Sequence, residues 1–164
     1  MKWILMAILF ACCLLAGYLY SNRYKKRVDF FNSLIYFAQK LDVEINFSRE
    51  RLKKLVEDFD SKPKANLQGI DSAFIKYLSD GGDLTAESLF GNKGLIKKEE
   101  KEIVTMFFKN LGRSDVENQT KEIKNSIERF EKLQSDAIAE YKKFGKLGIK
   151  LGIIAGLALV IILI

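Results

Sequence analysis

Leu111-Gly112-Arg113-Ser114-Asp115 divides the helical pattern of this 164-residue chain in two. Ahead of it, Ile103, Phe107 and Leu111 line one face of a helix that opens at Lys97 and carries Glu99, Glu100 and Glu102 near its positive end. Gly112 suits the left-handed residue that stops a helix, and Ser114, with Glu117 three positions on, reads as a capping box for the next one. The stretch is therefore expected to be a sharp corner. Gly112 shapes the turn and Ser114 caps it, while Arg113 and Asp115 are left on a tight, polar surface.

Behind the corner, Val116, Ile123, Phe130, Ala137 and Phe144 recur every seventh residue and the spacing continues to Leu151. One helix from residue 115 to residue 164 would measure about 75 Å at ~1.5 Å per residue, with Gly145 and Gly148 as places for it to bend. Ahead of the corner, residues 28–60 hold no glycine or proline, and Phe31, Leu34, Ala38, Leu41, Ile45, Ser48, Leu52, Leu55 and Phe59 alternate steps of three and four. That pattern predicts one long helix ended by Ser61-Lys62-Pro63. Leu67, Ile70, Phe74 and Leu78 predict a shorter helix closed by Gly81-Gly82, and residues 83–89 a brief turn of helix stopped by Gly91-Asn92. Residues 91–96 read as loop. No segment alternates with a period of two, so the expected fold is all-α, an antiparallel bundle.

The two ends are apolar. Residues 3–20 form an uncharged run, long enough to span a bilayer core, with Trp3, Tyr18 and Tyr20 at its edges. Residues 147–164 hold a single charge, Lys150, placed to snorkel. These runs predict two transmembrane helices, residues 1–22 and 147–164, flanking a bundle domain of residues 23–146. Gly148, Gly152 and Gly156 share one face of the second span, and Ala7 and Ala11 make a shorter small-residue face on the first. Packing of these faces against each other, or against a second protein, is the expectation.

All 21 acidic residues and 18 of the 27 basic ones lie in residues 28–140, so the net charge of +6 comes from the membrane flanks. Arg23, Lys25, Lys26 and Arg27 follow the first run; Lys142, Lys143, Lys146 and Lys150 precede or enter the last. Such clusters meet membrane lipid, not nucleic acid, and by the positive-inside rule hold the body in the cytoplasm with both termini across the membrane. Leu9-Phe10-Ala11-Cys12 loosely resembles a lipoprotein cleavage box, which makes an exported lipoprotein or another membrane-anchored helical binding module the alternative. The bulk of Phe10 and the placing of the basic cluster after the run count against it.

The absence of histidine removes the usual general base and zinc ligand, and the two cysteines, Cys12 and Cys13, sit inside an apolar run. No phosphate-binding Gly-x-x-x-x-Gly-Lys-Ser/Thr loop is present. An enzyme, a cofactor and a metal site are therefore not expected. Arg113, Ser114 and Asp115 read as turn, cap and partner contact before they read as catalytic.

Several stretches together resemble the stage III sporulation protein AB family: Leu111 to Asp115 followed by Gln119, Lys98-Glu99-Glu100, Leu41-Asp42-Val43-Glu44-Ile45, and the ending from Leu147-Gly148 through Gly152 and Gly156 to Ile164. The resemblance covers nearly the whole chain. It implies a protein similar to the F-type inner-membrane platform of type II secretion and type IV pilus systems, with a cytoplasmic helical body. The implied partners are a secretion-type ATPase similar to stage III sporulation protein AA and other stage III membrane proteins of the channel between mother cell and forespore. The implied place is the outer forespore membrane, and the corner residues Arg113, Asp115 and Gln119 become the expected partner contact.

Overall fold

The computed structural model describes residues 2–43, 49–67, 69–91 and 94–163, and among them there is no strand. The helices are α1 (Lys2–Val43), α2 (Arg49–Glu57), α3 (Ser61–Asn66), α4 (Ile70–Asp80), α5 (Ala86–Phe90), α6 (Lys98–Asn110), α7 (Val116–Glu140) and α8 (Lys146–Leu163), with a π-helical segment, Tyr141–Gly145, joining the last two. The all-α expectation agrees with this architecture. Two helical stretches, Trp3–Val43 and Val116–Ile162, are long and apolar enough to cross a membrane.

The chain forms two compact units. One comprises Asp29–Gln134; the other joins Met1–Val28 to Ser135–Ile164. The basic stretches at residues 23–27 and 142–146 lie in the second of these units, with the apolar runs. We call the first unit the body and the second the stem.

The body is built around phenylalanine. Phe108 of α6 stacks on Phe37 of α1 with ring centroids 5.6 Å apart and meets Phe74 of α4 at 4.9 Å. Its neighbour Phe107 meets Phe130 of α7 edge-on at 5.1 Å. Phe31, Leu34, Ala38, Leu41, Leu52, Leu55 and Phe59, the apolar stripe read from the sequence, are all buried; Ile45 and Ser48 lie outside the described residues.

That stripe does not belong to one straight helix. In a single helix Phe37 and Phe59 would be separated by roughly 33 Å at ~1.5 Å per residue, yet their rings lie 5.2 Å apart and the Tyr36 hydroxyl donates to Asp60 at 2.7 Å. The chain has folded back between them, so both arms present the same stripe to each other. Residues 61–63 also differ from expectation, since they open α3 instead of ending a helix in loop. Pro63 is tolerated there because first-turn N–H groups have no intrahelical acceptor. Three further boundaries follow the sequence. Gly81 and Gly91 end α4 and α5 with positive φ (73° and 55°), and the Lys97 N–H donates to the Glu100 carboxylate at 2.8 Å to open α6.

Candidate functional site

The corner between α6 and α7 is held by a side chain that the sequence offered as a surface contact. Gly112 takes the left-handed conformation (φ 75°), and its N–H donates to Gln119 Oε1 at 2.9 Å. The Ser114 hydroxyl lies 3.4 Å from the same oxygen. Gln119 is only 2% exposed, so it is spent on the corner and offers no surface to a partner. The cap is also displaced by one residue. Helix α7 starts at Val116, and Asp115, not Ser114, accepts from the Asn118 backbone N–H at 3.5 Å and from the Asn118 side-chain amide at 2.6 Å. The amide hydrogen bond from Asn118 holds the Asp115 carboxyl below the ordinary aspartate range.

Replacing the buried Gln119 by alanine removes the acceptor of the Gly112 N–H and is expected to cost about 1 kcal/mol, whereas Ser114→Ala should stay within about 0.5 kcal/mol. Denaturant midpoints of the two variants at constant m-value provide the check. Equal losses would return the cap to Ser114.

Arg113 does not project freely from the corner. Its guanidinium donates to the Tyr77 hydroxyl of α4 at 3.0 Å, and Lys109 donates to Asp83 at 2.6 Å. The Lys109 hydrogen bond, with its charge, holds the Asp83 carboxyl below the ordinary range, and Arg113 adds to that pull. A depressed carboxyl stabilises the fold above the pKa of the unfolded chain and loses that contribution as the pH falls through the folded value. The Tm difference between parent and Asp83→Asn should therefore shrink on acidification below the ordinary aspartate range. A difference constant with pH would show that the ion pair contributes nothing.

Beside the corner, α6 and α7 leave a groove floored by Phe107 and Ile123 and edged by Met106, Glu122 and Arg129. Met106 is 62% exposed although it is apolar. The face thus combines an accessible thioether, a groove, and the exposed Arg113 and Asp115, all on elements fixed by the phenylalanine core. Among the described residues no group of acidic or cysteine side chains could hold a metal ion. An exposed apolar side chain beside a groove is the kind of surface that can meet another macromolecule.

The stem is an antiparallel pair of helices read off in rows. Arg27 pairs with Glu140. Tyr24 stacks on Phe144 with centroids 6.0 Å apart. A Cβ added to Gly148 would lie 2.6 Å from the Tyr20 ring, one on Gly152 2.8 Å from the Cys13 carbonyl oxygen, and one on Gly156 2.7 Å from the Phe10 ring. The face of α1 that meets the glycines is therefore Phe10, Cys13, Gly17 and Tyr20. Ala7 and Ala11, expected there, are exposed; one position away along a helix is about 100° around it, at 3.6 residues per turn. Gly17 was the residue missed. A Cβ on it would lie 2.7 Å from the Gly148 carbonyl oxygen and 3.2 Å from Gly152 Cα, so backbones meet where these glycines cross.

The π-helical segment decides which face α8 presents. The heptad stripe of α7 holds through Ile123, Phe130 and Ala137, all buried, but the next members, Phe144 and Leu151, are 36% and 54% exposed. Gly145 is buried in place of Phe144, and Gly152 meets α1 in place of Leu151. The Lys146 N–H reaches back five residues to the Tyr141 carbonyl, and that wider turn takes up one extra residue. The inward stripe shifts by one, from large side chains to glycines. Gly145 neither breaks nor ends the helix; the Tyr141 ring lies where its Cβ would be, 2.5 Å from the ring edge.

The basic residues also divide. Arg23, Lys25, Lys26, Lys142, Lys143, Lys146 and Lys150 are exposed, but Arg27, expected to face headgroups with them, is 5% exposed and turned toward Glu140.

The family described as stage III sporulation protein AB matches this chain over residues 2–164. No curated protein and no solved structure matches it.

Proposed function

The chain belongs to the stage III sporulation protein AB family, and from that premise we propose that it is a membrane-embedded platform of the sporulation channel complex between mother cell and forespore. In this reading the stem crosses the membrane twice, in the outer forespore membrane. The body lies in the mother-cell cytoplasm, where it docks a secretion-type ATPase similar to stage III sporulation protein AA, in the manner of the F-type platforms of type II secretion and pilus machines. Other stage III membrane proteins and the surrounding lipid complete the list of partners, and the chain carries out no catalysis of its own.

The observation that carries the reading is the α6–α7 face. An exposed methionine, a groove and a charged corner sit on helices locked by Phe107, Phe108 and Phe130, and preorganised surfaces bind with less ordering cost than mobile ones. Full-length protein in nanodiscs should capture the purified ATPase, and a photo-reactive residue at Met106 or Arg113 should crosslink to it while one at Glu87 does not. Met106→Glu together with Arg113→Glu should cut capture at least tenfold, on the order of 1.4 kcal/mol. Undiminished capture by that variant, with its helical signal and unfolding midpoint retained, would remove this face from the docking reading.

A further inference from the structure

Rows of the stem place six exposed cations at one level. The Tyr24–Phe144 stack fixes residues 24 and 144 side by side, with the Arg27–Glu140 pair on one side of that row and the Tyr20–Gly148 contact on the other. Arg23, Lys25 and Lys26 on α1 and Lys142, Lys143 and Lys146 on the facing helix all fall between those two outer rows, and all six are exposed. At ~1.5 Å per residue each set occupies a band of about 5–6 Å along its helix. Headgroup layers have a similar depth, roughly 5–8 Å per leaflet when a core of ~30 Å is taken from a bilayer of ~40–45 Å.

The acid nearest this band is held in an ion pair. Glu140 is the last acidic residue of the chain, none precedes Asp29, and the Glu140 carboxylate is engaged by the buried Arg27. The exposed charged residues between the two outer rows are all basic. Aromatic groups flank it: the Tyr20 and Tyr24 hydroxyls lie 3.2 Å apart, and Lys143 Nζ sits 5.1 Å from the centre of the Phe144 ring. Below the band, Leu147 is lipid-sized and exposed.

We infer that this level of the stem is a collar that recruits anionic phospholipid headgroups, phosphatidylglycerol-like or cardiolipin-like, in preference to zwitterionic ones. The inference rests on the two-span reading of the stem. Six exposed cations from two facing helices concentrate charge at one level, whereas a topology signal alone requires only an excess of charge on one side. By pairing Glu140 with the buried Arg27, the stem offsets the charge of the carboxylate nearest this level.

The test uses the full chain with Trp3→Phe and Leu147→Trp, which leaves one indole just below the collar, reconstituted with acyl-brominated phosphatidylglycerol or phosphatidylcholine at equal mole fraction. Phosphatidylglycerol should quench more strongly. The preference should weaken as salt is raised and fall to parity in a protein that also carries Lys142→Gln, Lys143→Gln and Lys146→Gln. If that protein does not fold, Arg23→Gln, Lys25→Gln and Lys26→Gln should reduce the preference in the same direction. Equal quenching by the two lipids in the parent, or a preference that survives both sets of substitutions, would overturn the collar. Absence of quenching by either lipid would instead overturn the two-span reading, and the collar with it.

Discussion

Gly152→Leu is expected to separate the two helices of the stem. Its Cβ alone would lie 2.8 Å from the Cys13 carbonyl oxygen and 3.2 Å from Gly17 Cα, and these are backbone atoms that cannot rotate away. Within a bilayer, helices gain nothing from leaving lipid for one another except close packing and hydrogen bonds, so distance between backbones decides the association. Overpacking a tight site costs about 1–3 kcal/mol, and this site has no flexible neighbour to yield, which places it at the upper end. Gly17→Leu should behave alike, since its Cβ meets the Gly148 carbonyl oxygen at 2.7 Å. Ala11→Leu, on the exposed face of α1, should leave the pair intact. Titration of the reconstituted chain with a denaturing detergent, read by proximity of probes on the two helices, distinguishes these outcomes. Equal behaviour of Gly152→Leu and Ala11→Leu would show that the glycines do not hold the pair.

Glu140→Ala should be the most damaging change of a charged residue in the stem. It leaves the Arg27 guanidinium, 5% exposed, without the carboxylate it faces. Breaking a buried pair from one side costs about 3–5 kcal/mol, and the partial exposure of the Glu140 side chain, 28%, puts the expectation at the lower bound. Replacing both partners by leucine should recover most of the loss, because two apolar side chains strand no charge. Unfolding midpoints of the single and double variants give the comparison. A double variant as unstable as the single one would mean that the site needs its charges for more than each other.

Much of this fold is legible in the sequence, and the exceptions share a physical cause. Gly112, Gly81 and Gly91 announce their turns because a positive φ favours glycine, and the apolar spacing finds the buried face of α1 and part of those of α4 and α6, where Val104 and Phe108, the most deeply buried residues of α6, lie off the predicted stripe. The reversal between Phe37 and Phe59 is hidden because residues 28–60 keep an unbroken helical period with no glycine or proline; two arms of a hairpin can carry one continuous pattern. The cap is ambiguous because Ser114 and Asp115 both accept hydrogen bonds and are followed three residues later by Glu117 and Asn118. Only the backbone decides between them. Likewise, nothing in Tyr141 to Gly145 marks a π turn, yet that one extra residue moves Phe144 outward and Gly145 inward. At the corner the residue types are readable but their tasks are not: Gln119 turns inward to Gly112, and Arg113 reaches Tyr77.

The two-span topology underlies both the docking face and the lipid collar, and cysteine labelling tests it most directly. In a protein carrying Cys12→Ser and Cys13→Ser, Lys76→Cys would place the only thiol at an exposed position of α4. Labelled in intact sporulating cells with a membrane-impermeant maleimide, that thiol should stay unmodified and react only after the cells are opened. Modification in intact cells would place the body outside the cytoplasm and contradict the account.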